Sequence, residues 1–204
     1  MARPAAADRR SRTGFPTLAI GLLVLGAAVV AVLGYQSLSS PATPISEVVG
    51  GGASAAAADG FLPDGVTVFD DRYAGIANLD RALLAALRSA ATEATGDGVT
   101  FEVNSGWRSR AYQDQLLREA VADYGSAAQA ARWVATSDTS PHVSGDAVDL
   151  GTTAAAWLSR RGAAYGLCPI YRNEAWHYEL RPTAVARGCP AMYADPTYDP
   201  RMRA

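Results

Sequence analysis

Apolar residues are spread unevenly along the chain, and the unevenness divides it. From Phe15 to Tyr35 the sequence is uncharged, and its centre, Leu18 to Leu33, is almost wholly Leu, Ile, Val, Ala and Gly. Such a run has no polar face to turn towards water, as a packed surface helix would. About 20 apolar residues span a bilayer, and the aromatic residues at both ends suit its interfaces. Residues 15–35 are therefore predicted to cross a membrane. Arg3, Arg9, Arg10 and Arg12 precede the run and place residues 1–14 inside. Secretory signals share this charged-then-apolar layout, and Ser37-Leu38-Ser39 offers a small-x-small cleavage site. The run is long for a signal, so a retained anchor is expected, with secretion after cleavage as the alternative. Residues 36–60 lack apolar periodicity and contain Gly50-Gly51-Gly52 and an alanine tract, which reads as a flexible tether.

From residue 61 the periods become those of a folded domain, and 61–204 is long enough for one core. Val66–Phe69 is a short β-like run. Asn78 is a candidate cap for a helix whose apolar face is Leu79, Leu83, Leu84 and Leu87, running to about Glu93. Thr100–Val103 alternates like a strand and leads into the loop Asn104-Ser105-Gly106-Trp107-Arg108. Helix is predicted again over 109–123, stopped by Gly125, and Ser126 with Gln129 can cap a further helix towards Val134. Residues 136–144 are polar and broken by Pro141. Ala147–Leu150 reads as a strand, Thr152–Tyr165 as a helix ending at Gly166, and Leu167–Tyr171 with Trp176–Leu180 as a hairpin. After Pro182 the chain is expected to be irregular. Helices and strands alternate without a βαβ rhythm, so the fold class is α+β.

Charge narrows the partners. The chain has 18 basic residues, all arginine, against 20 acids, and the arginines are scattered, which excludes a nucleic-acid protein built on a basic patch. Four arginines fall before residue 36, so the remainder is acidic. Cys168 and Cys189 are the only cysteines. In an exported domain such a pair is expected to form a disulfide.

The chain holds only two histidines, and each lies among carboxylates. The first sits in Ser140-Pro141-His142-Val143-Ser144-Gly145-Asp146-Ala147-Val148-Asp149, the second in Glu174-Ala175-Trp176-His177-Tyr178-Glu179. A catalytic zinc site needs three protein ligands and one open position, and two His with one carboxylate is a standard set. His142, Asp149 and His177 supply it. Strand alternation puts Asp149 and Asp146 on opposite faces, which favours Asp149. Glu174, just ahead of the second strand, is placed to act as a general base beside zinc rather than as a ligand. Arg108 would offer a planar donor fork to a substrate carboxylate or a developing oxyanion. Trp107 and Trp176 flank the motif loops and read more readily as packing residues than as substrate platforms.

Ser140-x-His142-x-x-Gly145-x-Ala147-x-Asp149, followed by Glu174-x-Trp176-His177 and preceded by Ser105-Gly106-Trp107-Arg108-Ser109 with Gln113, resembles the VanY-type D-alanyl-D-alanine carboxypeptidase family of zinc peptidases. The likeness spans about residues 98–182. It implies the small α+β fold shared with Hedgehog signalling domains and D-Ala-D-Ala dipeptidases, with an antiparallel sheet carrying the zinc. It implies zinc on His142, Asp149 and His177, Glu174 as base, and Arg108 on the oxyanion or the substrate. Ser140, Gln113 and Trp107 would join Arg108 in binding the peptide. Asp146 stands where relatives are often basic or apolar, and Pro141 stiffens the approach to His142. The function expected is removal of the terminal D-Ala from peptidoglycan stem peptides by a monomer anchored outside the membrane. Alternatives are an L,D-carboxypeptidase or cell-wall endopeptidase of the same fold, and a noncatalytic cell-wall-binding zinc module.

Overall fold

The computed structural model describes residues 56–203. The predicted anchor at 15–35, the basic segment before it and most of the linker lie outside them. No helix among the described residues is long and apolar enough to cross a membrane.

Two helices lead into the sheet. α1 (Ala74–Ala77) is a single turn, and α2 (Arg81–Ala94) follows with Leu83, Leu87, Ala90, Ala91 and Ala94 buried along one face. The cap of α2 is Asp80, not Asn78: the Asp80 carboxylate accepts from the amides of Ala82 and Leu83 and satisfies two of the helix's unpaired donors. β1 (Val103–Ser105) begins three residues later than the alternation predicts. The β-like run 66–69 forms only a single bridge, Thr67 to Glu102, because the Asp70 carboxylate accepts from both the amide and the hydroxyl of Thr67 and curls the chain into a turn.

α3 (Arg110–Tyr124) is ended by Gly125, as the sequence suggests, while Ser109, expected as its first residue, stays outside as the cap and accepts from the Tyr112 amide. Ser126 does cap a helix, but α4 (Ala127–Ala130) stops after one turn. A further turn, α5 (Pro141–Ser144), lies within the polar stretch expected to be a loop. Pro141 starts it, since proline's fixed φ suits the first helical turn. β2 (Ala147–Leu150), α6 (Thr152–Arg161), β3 (Leu167–Pro169) and β4 (His177–Leu180) complete the framework.

The strands form one antiparallel sheet in the order β1-β2-β4-β3. Val148 pairs with Tyr178, and Asp149 with His177. The two faces therefore differ completely. Val148, Leu150 and Tyr178 enter a core shared with α2 and with Trp157 and Leu158 of α6. Asp149, His177 and Glu179 stand on the opposite face. Cys168 and Cys189 are disulfide-bonded, tying β3 to the start of the C-terminal tail. That tail is more ordered than expected: α7 (Ala184–Arg187) and two 3-10 turns, Pro196–Tyr198 and Pro200–Arg203, lie within it.

Candidate metal centre

Asp149 and His177 meet because β2 and β4 pair them directly across the strands, and such partners hold their side chains close enough to touch. The Asp149 Oδ1 lies 3.1 Å from His177 Nδ1. His142 arrives from α5, where the Ser140 hydroxyl accepts from the His142 amide and Gly145 ends the turn at φ 82. That positive φ suits glycine, and a Cβ at Gly145 would stand 2.6 Å from the Asn78 carbonyl. The turn sets His142 Nε2 3.4 Å from Asp149 Oδ2. All three side chains are buried.

The second nitrogen of each ring fixes which atom faces inward. His142 Nδ1 lies 2.8 Å from the Gly106 carbonyl, which can only accept, so Nδ1 carries the proton and Nε2 keeps its lone pair. His177 reverses the pattern: Nε2 donates to Glu179 at 3.3 Å, leaving Nδ1 towards Asp149. One atom from each of the three residues lies within 4.8 Å of the others, so the group could hold a metal ion. Two imidazole nitrogens and one carboxylate oxygen, each ring oriented by an outer acceptor, suit zinc.

Electrostatics agree with the geometry. Burial opposes charge on His177, but the hydrogen bonds to Asp149 and Glu179 outweigh it and lift the imidazole to about 9 in the metal-free site. Burial, then the Arg108 guanidinium, pushes His142 down. Burial would raise Asp149, yet His142 and His177 together hold it well below the usual carboxylate range. A cation is already favoured where these groups converge.

Glu174 lies beside the group, its Oε2 3.9 Å from His177 Nδ1. It is 6% exposed, and its Oε1 has no hydrogen-bond partner among the described residues. A buried orphan carboxylate oxygen calls for a water, an ion or a substrate donor. Burial first of all, and then the Asp149 charge, raises Glu174 to about 7 despite His177.

Arg108 faces the same cleft in a fixed pose. It donates from Nε to the Ser105 hydroxyl at 2.7 Å, from Nη1 to Gln113 Oε1 at 3.1 Å and from Nη2 to Asp149 Oδ2 at 2.9 Å. Gln113 is itself buried and donates to the Ala135 carbonyl, so both ends of its amide are occupied in orienting Arg108. Ser140, Arg108, Gln113 and Trp176 line a cleft of about 370 Å³ that opens from the metal group. Trp107 is not among its lining residues, and its amide donates to the Gly75 carbonyl. Asp146 is exposed, accepts from the Ser144 hydroxyl and lies outside the cleft.

One part of the site escaped sequence reading. Glu179 is 1% exposed and holds His177 on one side and two arginines on the other. Arg181 donates to its Oε2 at 2.6 Å, and Arg201 of the tail grips both oxygens at 2.8 and 3.0 Å. Arg201 also pairs with buried Asp199, which accepts from the Tyr171 hydroxyl at 3.0 Å. Glu179 and Asp199 are held below their usual ranges against the cost of burial, chiefly by His177 and Arg201 respectively. The alternation of β4 places His177 and Glu179 on one face and was the only available signal.

Among solved structures, the chain is 30% identical to a variant of a VanY D,D-pentapeptidase from a VanB-type resistance cassette, in complex with Zn(II), covering 50% of this chain and 72% of that one at a TM-score of 0.45. It is 27% identical to VanYB in complex with D-alanine-D-alanine, covering 54% and 74% at a TM-score of 0.48. It is also 27% identical to an L,D-carboxypeptidase, DacB, from Streptococcus pneumoniae, covering 55% and 73% at a TM-score of 0.46. No curated protein matches. The sequence model of the VanY family, described as D-alanyl-D-alanine carboxypeptidase, matches residues 77–182, just over half of the chain and all of the sheet that carries the metal group; the chain belongs to that family.

Proposed function

We propose that this protein is a zinc-dependent D,D-carboxypeptidase that removes the terminal D-alanine from peptidoglycan stem peptides. The observation that carries the reading is the open three-residue donor set with an unpartnered buried carboxylate, Glu174, beside it. A structural zinc site would close with a fourth protein ligand. Both cysteines, the usual candidates for that place, are joined to each other.

His142 Nε2, Asp149 and His177 Nδ1 would hold the metal, which when bound polarises the scissile carbonyl and acidifies water. Glu174 takes the proton of the attacking water on its free oxygen and returns it to the departing amine. Arg108 has three donors engaged and two left of its five, which can face an oxyanion or the substrate's terminal carboxylate. Ser140 contributes by setting the His142 turn, and its place in the cleft wall lets it meet the peptide.

The surroundings proposed for this activity are extracytoplasmic: residues 15–35 anchor the chain, the residues that follow tether the domain, and the disulfide suits an oxidising compartment. Mass spectrometry of zinc-loaded protein incubated with stem pentapeptide and tetrapeptide, beside a chelated control, tests the reading. Loss of one alanine from the pentapeptide alone is expected. Cleavage of the tetrapeptide alone would make it an L,D enzyme, and zinc binding without either would favour a noncatalytic module.

A further inference from the structure

Behind one wall of the cleft lies a second cavity. It measures about 360 Å³, the scale of a small-molecule pocket, and shares Val134, Ala135, Pro196 and Met202 with the cleft. Those four residues form a partition with open space on both sides. Helix α3 borders both spaces, turning Leu116 and Ala120 to the cleft and Leu117 and Val121 to the cavity. The cavity is mainly apolar, and its polar groups have partners of their own. The Thr136 and Thr139 hydroxyls bond each other at 3.0 Å, and Arg203 donates to the Thr197 carbonyl at 3.2 Å.

The partition stands at the Arg108 end of the cleft. Arg108 donates to Gln113, and Gln113 donates at 2.9 Å to the carbonyl of Ala135, itself part of the partition. Three of the four residues are fixed: the Val134 amide donates to the Ala130 carbonyl, Ala135 holds Gln113, and Pro196 is rigid by its ring. Met202 differs. Its backbone is clamped, since its amide donates to the Asp199 carbonyl at 3.1 Å and the preceding Arg201 grips Glu179. Its side chain is unbranched, with three rotatable bonds. Pro196 and Met202 lie beyond residues 77–182, so this half of the partition is added to the family pattern by the tail.

We propose that Met202 sets the size of the leaving amino acid: its side chain bars the way into the cavity and limits that residue to one as small as alanine. The cavity behind it is the space an aliphatic side chain would occupy. This rests on the carboxypeptidase reading, with Arg108 taking the terminal carboxylate. A leaving residue held there turns its side chain towards a partition only two hydrogen bonds from Arg108. Truncating Met202 joins the two spaces, and an apolar group entering the cavity leaves water without separating a polar pair.

The test compares diacetyl-lysyl-D-alanyl-D-alanine with the peptide ending in D-leucine. Zinc-loaded full-length protein should favour the first in kcat/KM by about 100-fold or more. Met202→Ala should shrink that ratio at least about tenfold, and Met202→Val, a milder truncation, should shift it in the same direction. Adding Ala131→Phe, which fills the cavity from a position that does not line the cleft, should restore the wild-type ratio. Calorimetric binding of both peptides in a Glu174→Gln background, which needs no turnover, should show the same changes in affinity. Moving the leucine to the penultimate position should gain nothing from Met202→Ala. A ratio unmoved by both truncations, a gain that survives Ala131→Phe, or a gain confined to the penultimate position overturns the proposal. Tighter binding of the D-leucine peptide to Met202→Ala without release of either amino acid would leave the gate standing and sink the carboxypeptidase reading. Release of D-alanine with an unmoved ratio would do the reverse, and binding of neither peptide would sink both.

Discussion

The strand pair β2–β4 and the C-terminal tail build the same candidate metal centre by opposite means. The strands place Asp149 and His177 by register, a short-range consequence of alternation and pairing, and they lie inside residues 77–182, where the family pattern matches. The tail lies beyond that match, and its regular pieces are short. Yet it delivers Arg201 and Asp199 to Glu179 and Tyr171, sets Asp195 against Arg132 at 3.0 Å, and contributes Pro196 and Met202 to the cleft wall. Ligands come from local pattern. Their orientation comes from charged residues that reach the site across the fold, and only the first kind is written in spacing.

If the strands supply the metal's own ligands, the largest effect belongs there. His177→Ala should weaken zinc binding by about 10²–10³-fold, one ligand's share of a binding energy of order 10 kcal/mol, measured by chelator competition. Retained affinity would mean that another residue completes the set. The tail's anchorage comes next. Replacing both cysteines by serine should lower unfolding stability by about 3 kcal/mol, the chain-entropy value for closing a loop of this size, read from denaturant titration.

Arg201→Ala separates the two regions most sharply, because it removes a tail residue that touches no ligand directly. The loss of its two-pronged grip on Glu179 should cost about 10–100-fold in zinc affinity. Arg201→Lys should recover only part of it, since an ammonium cannot present the fork. An unchanged affinity would reduce the tail to packing.

The smallest effect expected is in protons. His177 rises from 6.5 to about 9 and Glu174 from 4.5 to about 7 in the metal-free fold. Both folded values exceed the unfolded ones, so the stability they contribute is complete at low pH and is lost as pH climbs. The melting temperature of chelated protein should therefore fall between about pH 4.5 and 9, through Glu174 up to about 7 and through His177 from about 6.5 upward, and zinc binding near pH 7.5 should release about one proton. Calorimetry in two buffers of different ionisation enthalpy measures the release; none would mean that His177 is neutral before metal arrives.

Sequence reading reached the site further than the fold around it. Strands β2 and β4, the cap at Ser126 and the stop at Gly125 follow from alternation and local hydrogen bonding, and the structure has them where expected. Residues 66–69 and the cap at Asp80 were misread because a nearby aspartate side chain competes for backbone donors, an effect that hydrophobic periodicity does not register. The same holds for α5, where a single proline-led turn inside a polar stretch carries His142. Pairing of the cysteines followed from their number and expected compartment. Arg201 could not be read at all: its partner Glu179 lies 22 residues away, and an arginine in an irregular tail looks like any solvated one.

The most direct test of the central claim is zinc content and turnover measured together on Glu174→Gln. The variant should hold one zinc per chain with wild-type affinity while D-alanine release falls by about 10²–10⁴-fold, the usual contribution of a general base. Loss of zinc would contradict the account by making Glu174 a ligand, and undiminished release would remove it from the chemistry.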